Sequence, residues 1–501
     1  MSTLISKFYS FILLLGLFLV ASCTNLDIEE TDSEVVEETE GGGLTGNPTQ
    51  LLLAAYKDLS AYTDQANIYS LFEHTSDEMI PPTRGVDWSD NGVWRTLHTH
   101  NWDPTHSYVL GAWNQLNERS FRINVLLASS PSAQEAAEAK FIRAFNMWHI
   151  MDLYGKVPVR EFDEGVDVNP RVMTRTEAFD FIVNDLTEAL PDLPSVGPGA
   201  NNTTASKAAA RALLARLYLN KAVYSQPLES AAGPYTFDNG DMAKVIENVD
   251  AITADGYSLE PNYFDNFTPS ATSELILVSL EGDAQNRYFM TLHYNQNPSG
   301  WNGFTTLADF YNTFEANDSR RSAPSPVAQG QAFFGVKRGF LIGQQVDDNG
   351  VNIIDTRTQQ PLQFTEDVPI AGAATNKGIR VIKYHPGAKG KYILLRYADA
   401  YLMKVEALFR SGAQADALTQ LNALRAARGA SALGAITEAD ILNERGRELY
   451  WEGIRRVDQV RFGTFDDTWV EKTVTDPTRV LFPIPQQALD SNPNLTQNPG
   501  Y

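Results

Sequence analysis

The residues best suited to chemistry lie between 72 and 106. That stretch holds Trp88, Trp94 and Trp102, the carboxylates Asp77, Glu78, Asp87 and Asp90, Arg84, and four of the seven histidines. A sugar ring has one apolar C–H face and a fringe of hydroxyls, so a site for it needs an exposed aromatic platform beside Asn, Asp or Arg groups. Trp88 with Arg84, Asp87 and Asn91 supplies one such set. Trp301 with Asn302 and Tyr294 supplies a second, far along the chain. Trp94 and Trp102 read as well as core residues. His98-x-His100, with His74 and His106, has ligand types and would put both rings on one face of a strand. It lacks a clear third-ligand spacing, so packed or hydrogen-bonded histidines are expected, with no metal and no cofactor.

Composition narrows the classes further. The 501 residues carry 40 Lys+Arg against 62 Asp+Glu, a net charge of −22. A phosphate backbone must be met by clustered cations, so nucleic acid is not an expected partner. The same balance disfavours sulfated or uronic glycans, unless a local Arg patch exists. One cysteine excludes an internal disulfide and any Cys-rich zinc or iron–sulfur site. No P-loop, strand-borne GxGxxG, HExxH or GxSxG arrangement is present.

That cysteine is Cys23. A short positive start and an apolar stretch from Phe8 to Val20 lead to Ala21-Ser22-Cys23, a cleavage-site pattern too short to span a bilayer. Residues 1–22 are therefore expected to be a signal peptide. Val20-Ala21-Ser22-Cys23 resembles a bacterial lipobox, which implies acylation of Cys23 and a lipid anchor in the outer membrane. Eight acidic residues follow between Cys23 and Glu40 with no Lys or Arg among them. Such a run stays solvated, and 23–46 reads as a flexible acidic tether of up to roughly 80 Å. It resembles the acidic stretch that marks lipoproteins for the surface in Bacteroidetes-type bacteria.

The elements that must hold the aromatic segments are mostly helices. Apolar periodicity predicts helices starting near Pro48 and over 111–128, 132–154, 205–224, 392–411, 414–428 and 437–456. Thr174-x-x-Glu177 is a capping box opening another, and Thr437-x-x-Asp440 a looser one. Helix–turn–helix pairs with small residues between large ones suggest a TPR-like stack without a fixed period. From 225 to 390 the pattern breaks, with one predicted strand at 274–280 and long loops over 321–378; binding residues favour such a lobe.

Several segments resemble the SusD/RagB family of outer-membrane nutrient-binding lipoproteins. The end of the chain, Leu481-Phe482-Pro483-Ile484-Pro485-Gln486 and then Gln497-Asn498-Pro499-Gly500-Tyr501, is very like the family's "FPIP…QNPGY". Glu444-Arg445-x-Arg447-Glu448-Leu449-x-x-Glu452-Gly453-x-Arg455-Arg456 is similar to its "ER..EL..EG.R" helix. Arg396-Tyr397-Ala398-Asp399 resembles "RYAE", and Leu153-Tyr154-Gly155 to Pro158 resembles "LYG.VP". The charges of 444–456 stand three and four apart, and mutual pairing of Glu444, Arg447, Glu448 and Glu452 with Arg445, Arg455 and Arg456 is expected. The resemblance implies a mainly α fold, a right-angled bundle of TPR-like hairpins (about 47–224 and 391–465) with an irregular lobe (about 225–390), in one domain spanning 47–501. It implies a non-catalytic protein that binds a glycan and passes it to a SusC-like TonB-dependent transporter, with the aromatic platform on loops such as those of Trp88 and Trp301. The alternatives are a glycoside hydrolase, which needs two carboxylates about 5 to 9.5 Å apart, and a helical-repeat scaffold that binds only protein.

Overall fold

Side-chain caps set where the helices begin. Ser132, Thr174 and Thr437 each accept from the amide three residues on, while Glu135, Glu177 and Asp440 bond back, making three complete capping boxes. Asn47 caps the first helix, with Pro48 in its opening turn. The computed structural model describes residues 36–38, 43–165 and 167–501. The expected signal peptide, the expected lipidation site Cys23 and most of the acidic segment lie outside the described residues. Within that segment Val36–Glu38 pairs antiparallel with Leu44–Gly46.

The first half is a run of helices: α1 (Pro48–Asp58), α2 (Asn67–Glu73), α3 (Val93–His98), α4 (Ser107–Ala128), α5 (Ala133–Tyr154), α6 (Arg175–Ala189), α7 (Lys207–Tyr224) and α8 (Asn239–Ala254). Two single-turn helices, α9 (Asn286–Phe289) and α10 (Ala308–Tyr311), sit in the lobe. After it come α11 (Tyr397–Arg410), α12 (Gln414–Ala427), α13 (Glu438–Leu449), α14 (Arg455–Phe462) and α15 (Gln486–Ser491). Neighbours in sequence pack together from α4 through α8, and α8 then packs directly on α11. The lobe between them is thus an insertion into one continuous helical stack. Helix α5 is buried almost all round from Ala137 to Tyr154, Phe141, Phe145, Trp148 and Met151 among the rest, as its central place requires. The fold is mainly α, as the periodicity and the resemblance lead one to expect.

Three boundaries differ from expectation, each for a local reason. Helix α8 falls inside the stretch read as irregular; Asp238 caps it, and Met242, Val245, Val249 and Ile252 recur at three and four. The segment 392–411 is helical only from Tyr397, because Ile393–Arg396 pairs with the strand Leu275–Val278. The segment 437–456 breaks at Tyr450, where Trp451 and Gly453 take positive φ. That turn lets the Trp451 amide donate to Glu78 and the Gly453 amide to Glu73. Within 321–378 short antiparallel ladders of two to four residues punctuate the expected loops.

The terminal motif is a fastening. The Phe482 amide donates to the Leu153 carbonyl, Asn498 Nδ2 donates to the carbonyls of Tyr154 and Phe482, and the indole N–H of buried Trp102 donates to the Tyr501 hydroxyl. The last residues thereby lock onto the end of α5.

Candidate functional site

Trp88 and Trp301 form one surface rather than two. The loop 84–92 is pinned by reciprocal backbone bonds between Arg84 and Asp87, and Gly85, Trp88, Asp90, Asn91 and Gly92 all have positive φ. A bulky residue pays a steric penalty in that region, so a tryptophan there must be held by its surroundings. The Trp88 indole N–H donates to the Trp301 carbonyl at 2.9 Å, and its ring packs on Phe304 and Trp94 at centroid distances of 4.7 and 5.6 Å. Gly303 makes this possible, since a β-carbon there would stand 2.6 Å from Trp88 Cε2. Trp301 is carried by a turn whose amides bond back to the carbonyls of Phe289, Met290 and Leu292. Its ring lies 6.3 Å from that of Trp88, tilted by 44°, and stacks on Phe289 at 5.7 Å. Trp301 is 38% exposed and Trp88 half-buried.

A polar edge borders the two rings. The Tyr294 hydroxyl donates to Asp87 Oδ2 at 2.6 Å, and Arg357 Nη1 lies 3.4 Å from the same oxygen. The Arg357 guanidinium also covers the Tyr294 ring at 4.1 Å. Burial first, then the Asp87 carboxylate, raises the Tyr294 pKa, so the hydroxyl stays a donor. Val86, 87% exposed, and Asn91, exposed, stand in the same loop as Trp88.

Two of the expected site residues are not on this surface. Arg84 is buried, with Nε bonded to the Asn302 carbonyl, Nη2 to the Lys377 carbonyl and Nη1 to the Ala374 carbonyl. Asn302 is fully buried, its side chain held between the Thr375 carbonyl and Arg380. Burial pushes the Arg84 pKa down to about 10, and the three carbonyls stand in for a counter-ion. These residues support the platform from below, because their polar groups are saturated by backbone. Phe289, Phe304 and Arg357, which complete the patch, were not singled out in the sequence. Phe289 had an aromatic signal in RYF, while Arg357 in a polar turn had none.

The remaining candidates are core. Trp94 and Trp102 are buried, as their alternative reading had it, and Trp94 donates to Asp90 at 2.6 Å. His98 ends α3 instead of lying on a strand, its ring nitrogens 3.0 and 2.9 Å from the carbonyls of Met79 and Val470. His100 Nε2 donates to the Thr75 carbonyl. Among the described residues no group of three or more His, Cys, Asp or Glu is arranged to hold a metal ion.

The charges of 444–456 pair mostly with other elements and not among themselves. Glu444 takes Arg320, Arg425 and, within α13, Arg447. Glu448 takes Arg320, Arg396 and Arg428. Arg445 goes to Asp399 and Asp458, Arg455 to Asp77 and Arg456 to Asp152. The helical spacing proposed partners, but tertiary neighbours came closer.

This arrangement can be set beside known proteins. The profile described as "SusD family" matches residues 253–476 and 464–501, and one described as "Starch-binding associating with outer membrane" matches residues 49–219. Starch-binding protein SusD of Bacteroides thetaiotaomicron is 26% identical over 477 residues, covering 83% of this chain and 82% of that protein. A solved laminarin binding SusD-like protein superposes with a TM-score of 0.65 at 21% identity, over 91% of this chain and 99% of its own. Surface glycan-binding protein A from Bacteroides thetaiotaomicron, solved in complex with laminarihexaose, gives a TM-score of 0.63 at 16% identity over 90% of this chain and 98% of its own. The profiles span the helical stack and the inserted lobe alike, and the chain belongs to the SusD/RagB family.

Proposed function

We propose that this protein binds a glycan on the composite patch of Trp88 and Trp301 at the outer surface of the outer membrane. Acylation of Cys23 anchors it there, and it delivers the glycan to a SusC-like TonB-dependent transporter. The observation that carries the reading is the joining of two tryptophan-bearing turns, 213 residues apart, into one solvent-facing aromatic surface with a polar edge. Two tilted rings meet the apolar faces of successive sugar units, while Tyr294, Asp87, Arg357 and Asn91 meet hydroxyls. Relatives named for binding starch, laminarin or surface glycans support the ligand class. A binding role fits better than hydrolysis, since Asp87 is held by Tyr294 and Arg357 and Asp90 by Trp94 instead of standing free as an acid–base pair.

Affinity electrophoresis of unacylated Cys23→Ser protein through gels containing single polysaccharides tests this. At least one glycan should retard the protein, and Trp301→Ala should abolish the retardation while circular dichroism shows the variant still folded, because Trp301 packs on the surface and not in the core. Failure of every glycan to retard it, or full retardation of both Trp301→Ala and Trp88→Ala, refutes the assignment.

A further inference from the structure

A second cleft, of about 380 Å³, opens in the lobe between the segment 316–322 and the strands Arg338–Leu341 and Gly343–Gln344. Its charge is opposite to that of the molecule. Arg321 and Lys337 both line it, and neither has a carboxylate partner among the described residues. The Arg321 guanidinium is fixed by donating to the Tyr311 hydroxyl at 2.6 Å and by lying 4.4 Å over the Tyr311 ring, with its other donors unengaged. Lys337 is exposed and makes no side-chain bond to the described protein. The one carboxylate in the lining, Asp318, is buried and neutralised by Arg320, which donates to both of its oxygens at 2.9 and 2.6 Å. Two cations without a carboxylate partner share one concave site and make it locally positive within a chain of net charge −22.

A smaller cleft of about 180 Å³ shares Gly335 and Val346 with this one and reaches Asn295–Asn297, next in sequence to Tyr294 of the aromatic patch. It carries Asp347 and Asp348, the latter bonded to Asn297 Nδ2. An anion is therefore repelled from the near cleft and attracted to the far one.

The geometry points to the Arg321–Lys337 cleft as a subsite for an acidic sugar unit, one bearing a carboxylate or a sulfate ester. Arg321 offers a pre-set fork to two oxygens and Lys337 a mobile point charge. The overall acidity that disfavours charged glycans does not govern this cleft: salt screens carboxylates beyond roughly 10 Å, and the nearer Asp347 and Asp348 line the adjoining cleft while the two cations line this one. That the anion is part of a saccharide rests on the function proposed above; the preference for an anion rests on the cleft alone.

Titration calorimetry on the intact, anchored chain in detergent tests this with four probes: tetragalacturonate, a sulfated carrageenan tetrasaccharide, and neutral maltotetraose and laminaritetraose. At least one acidic probe should bind, more weakly as salt rises, and Lys337→Ala and Arg321→Gln should each weaken it about tenfold, as loss of one charge-assisted bond does. The two acidic probes tell carboxylate from sulfate ester, and neutral probes should be indifferent to both substitutions. Lys337→Ala removes only an exposed side chain, so its result does not hinge on folding. Absence of binding by both acidic probes, or binding that ignores both substitutions, overturns the inference. If neutral glycans still bind and depend on Trp301, the proposed function survives that outcome.

Discussion

Trp88 holds a backbone conformation that costs a non-glycine residue about 1–2 kcal/mol. The indole hydrogen bond to Trp301 and the packing on Phe304 offset that cost. The ring rests on Gly303, and this contact can be tested at a single atom. Gly303→Ala places a β-carbon 2.6 Å from Trp88 Cε2 and 2.8 Å from the Met290 carbonyl oxygen. Neither can yield without moving the turn, so stability should fall by about 1–3 kcal/mol, and affinity for the bound glycan by at least about tenfold. Unchanged affinity, measured at a temperature where the variant is folded, would show that Trp88 does not contact ligand. The residue types near Trp88 and Trp301 were legible in the sequence as sugar-binding chemistry. Which of them face outward was not: Arg84 and Asn91 have equally polar side chains, and only the carbonyls around Arg84 decide that it is buried.

At the scale of elements, α13 is where the helical stack and the lobe are tied together by charge. Burial alone would raise the Glu448 pKa, but Arg428, Arg396 and Arg320 outweigh it and hold the carboxyl well below the usual range. Glu448→Ala would leave those three guanidiniums buried with one acceptor fewer. Removing one partner from such a site typically costs about 3–5 kcal/mol, so the unfolding free energy from urea titration should fall by about that much, with a lower midpoint at an unchanged m-value. A loss below about 1 kcal/mol would mean that Glu274, Glu444 and Glu452, which share these arginines, compensate fully. The existence of α13 and its cap was readable from periodicity and from Thr437-x-x-Asp440. Its partners were not, because spacing along one helix says nothing about arginines brought in from 320, 396 and 428.

Across the whole molecule, all seven histidines are buried. Burial lowers the pKa of each, to about 3 for His149 and about 4 for His293 and His385. The unfolded chain therefore takes up protons near pH 6.5 that the folded chain refuses. Stability is present above pH 6.5 and is lost as pH falls toward 4. Glu73 and Glu78 act in the opposite direction, since burial raises their pKa and their protonation favours the folded state. Burial raises the Asp185 pKa in the same sense, and the seven histidines outweigh these three carboxyls. Between pH 7.5 and 5.5 the three histidines with the stated values alone remove roughly 3–4 kcal/mol. Below about pH 4.3 the depressed carboxylates Glu406 and Glu444, held at about 2 by arginines that outweigh burial, add to the loss. Urea titrations at the two pH values check this, and a higher midpoint at pH 5.5 would contradict it.

The sequence by itself determined most of the long helices, the caps at Thr174 and Thr437, a strand within 274–280 and the family resemblance at the chain end. These are local matters: a 3.6-residue period, a cap three residues from its partner, and a contiguous motif can all be read along one dimension. It also contained both tryptophan segments, as two candidate sites. Only the tertiary structure made them one, because their union depends on a hydrogen bond and a glycine contact between turns 213 residues apart. The same is true of the cationic cleft. The chain's net charge is a sum over all residues, whereas the field a ligand meets depends on which few charges share a concavity and which are already paired.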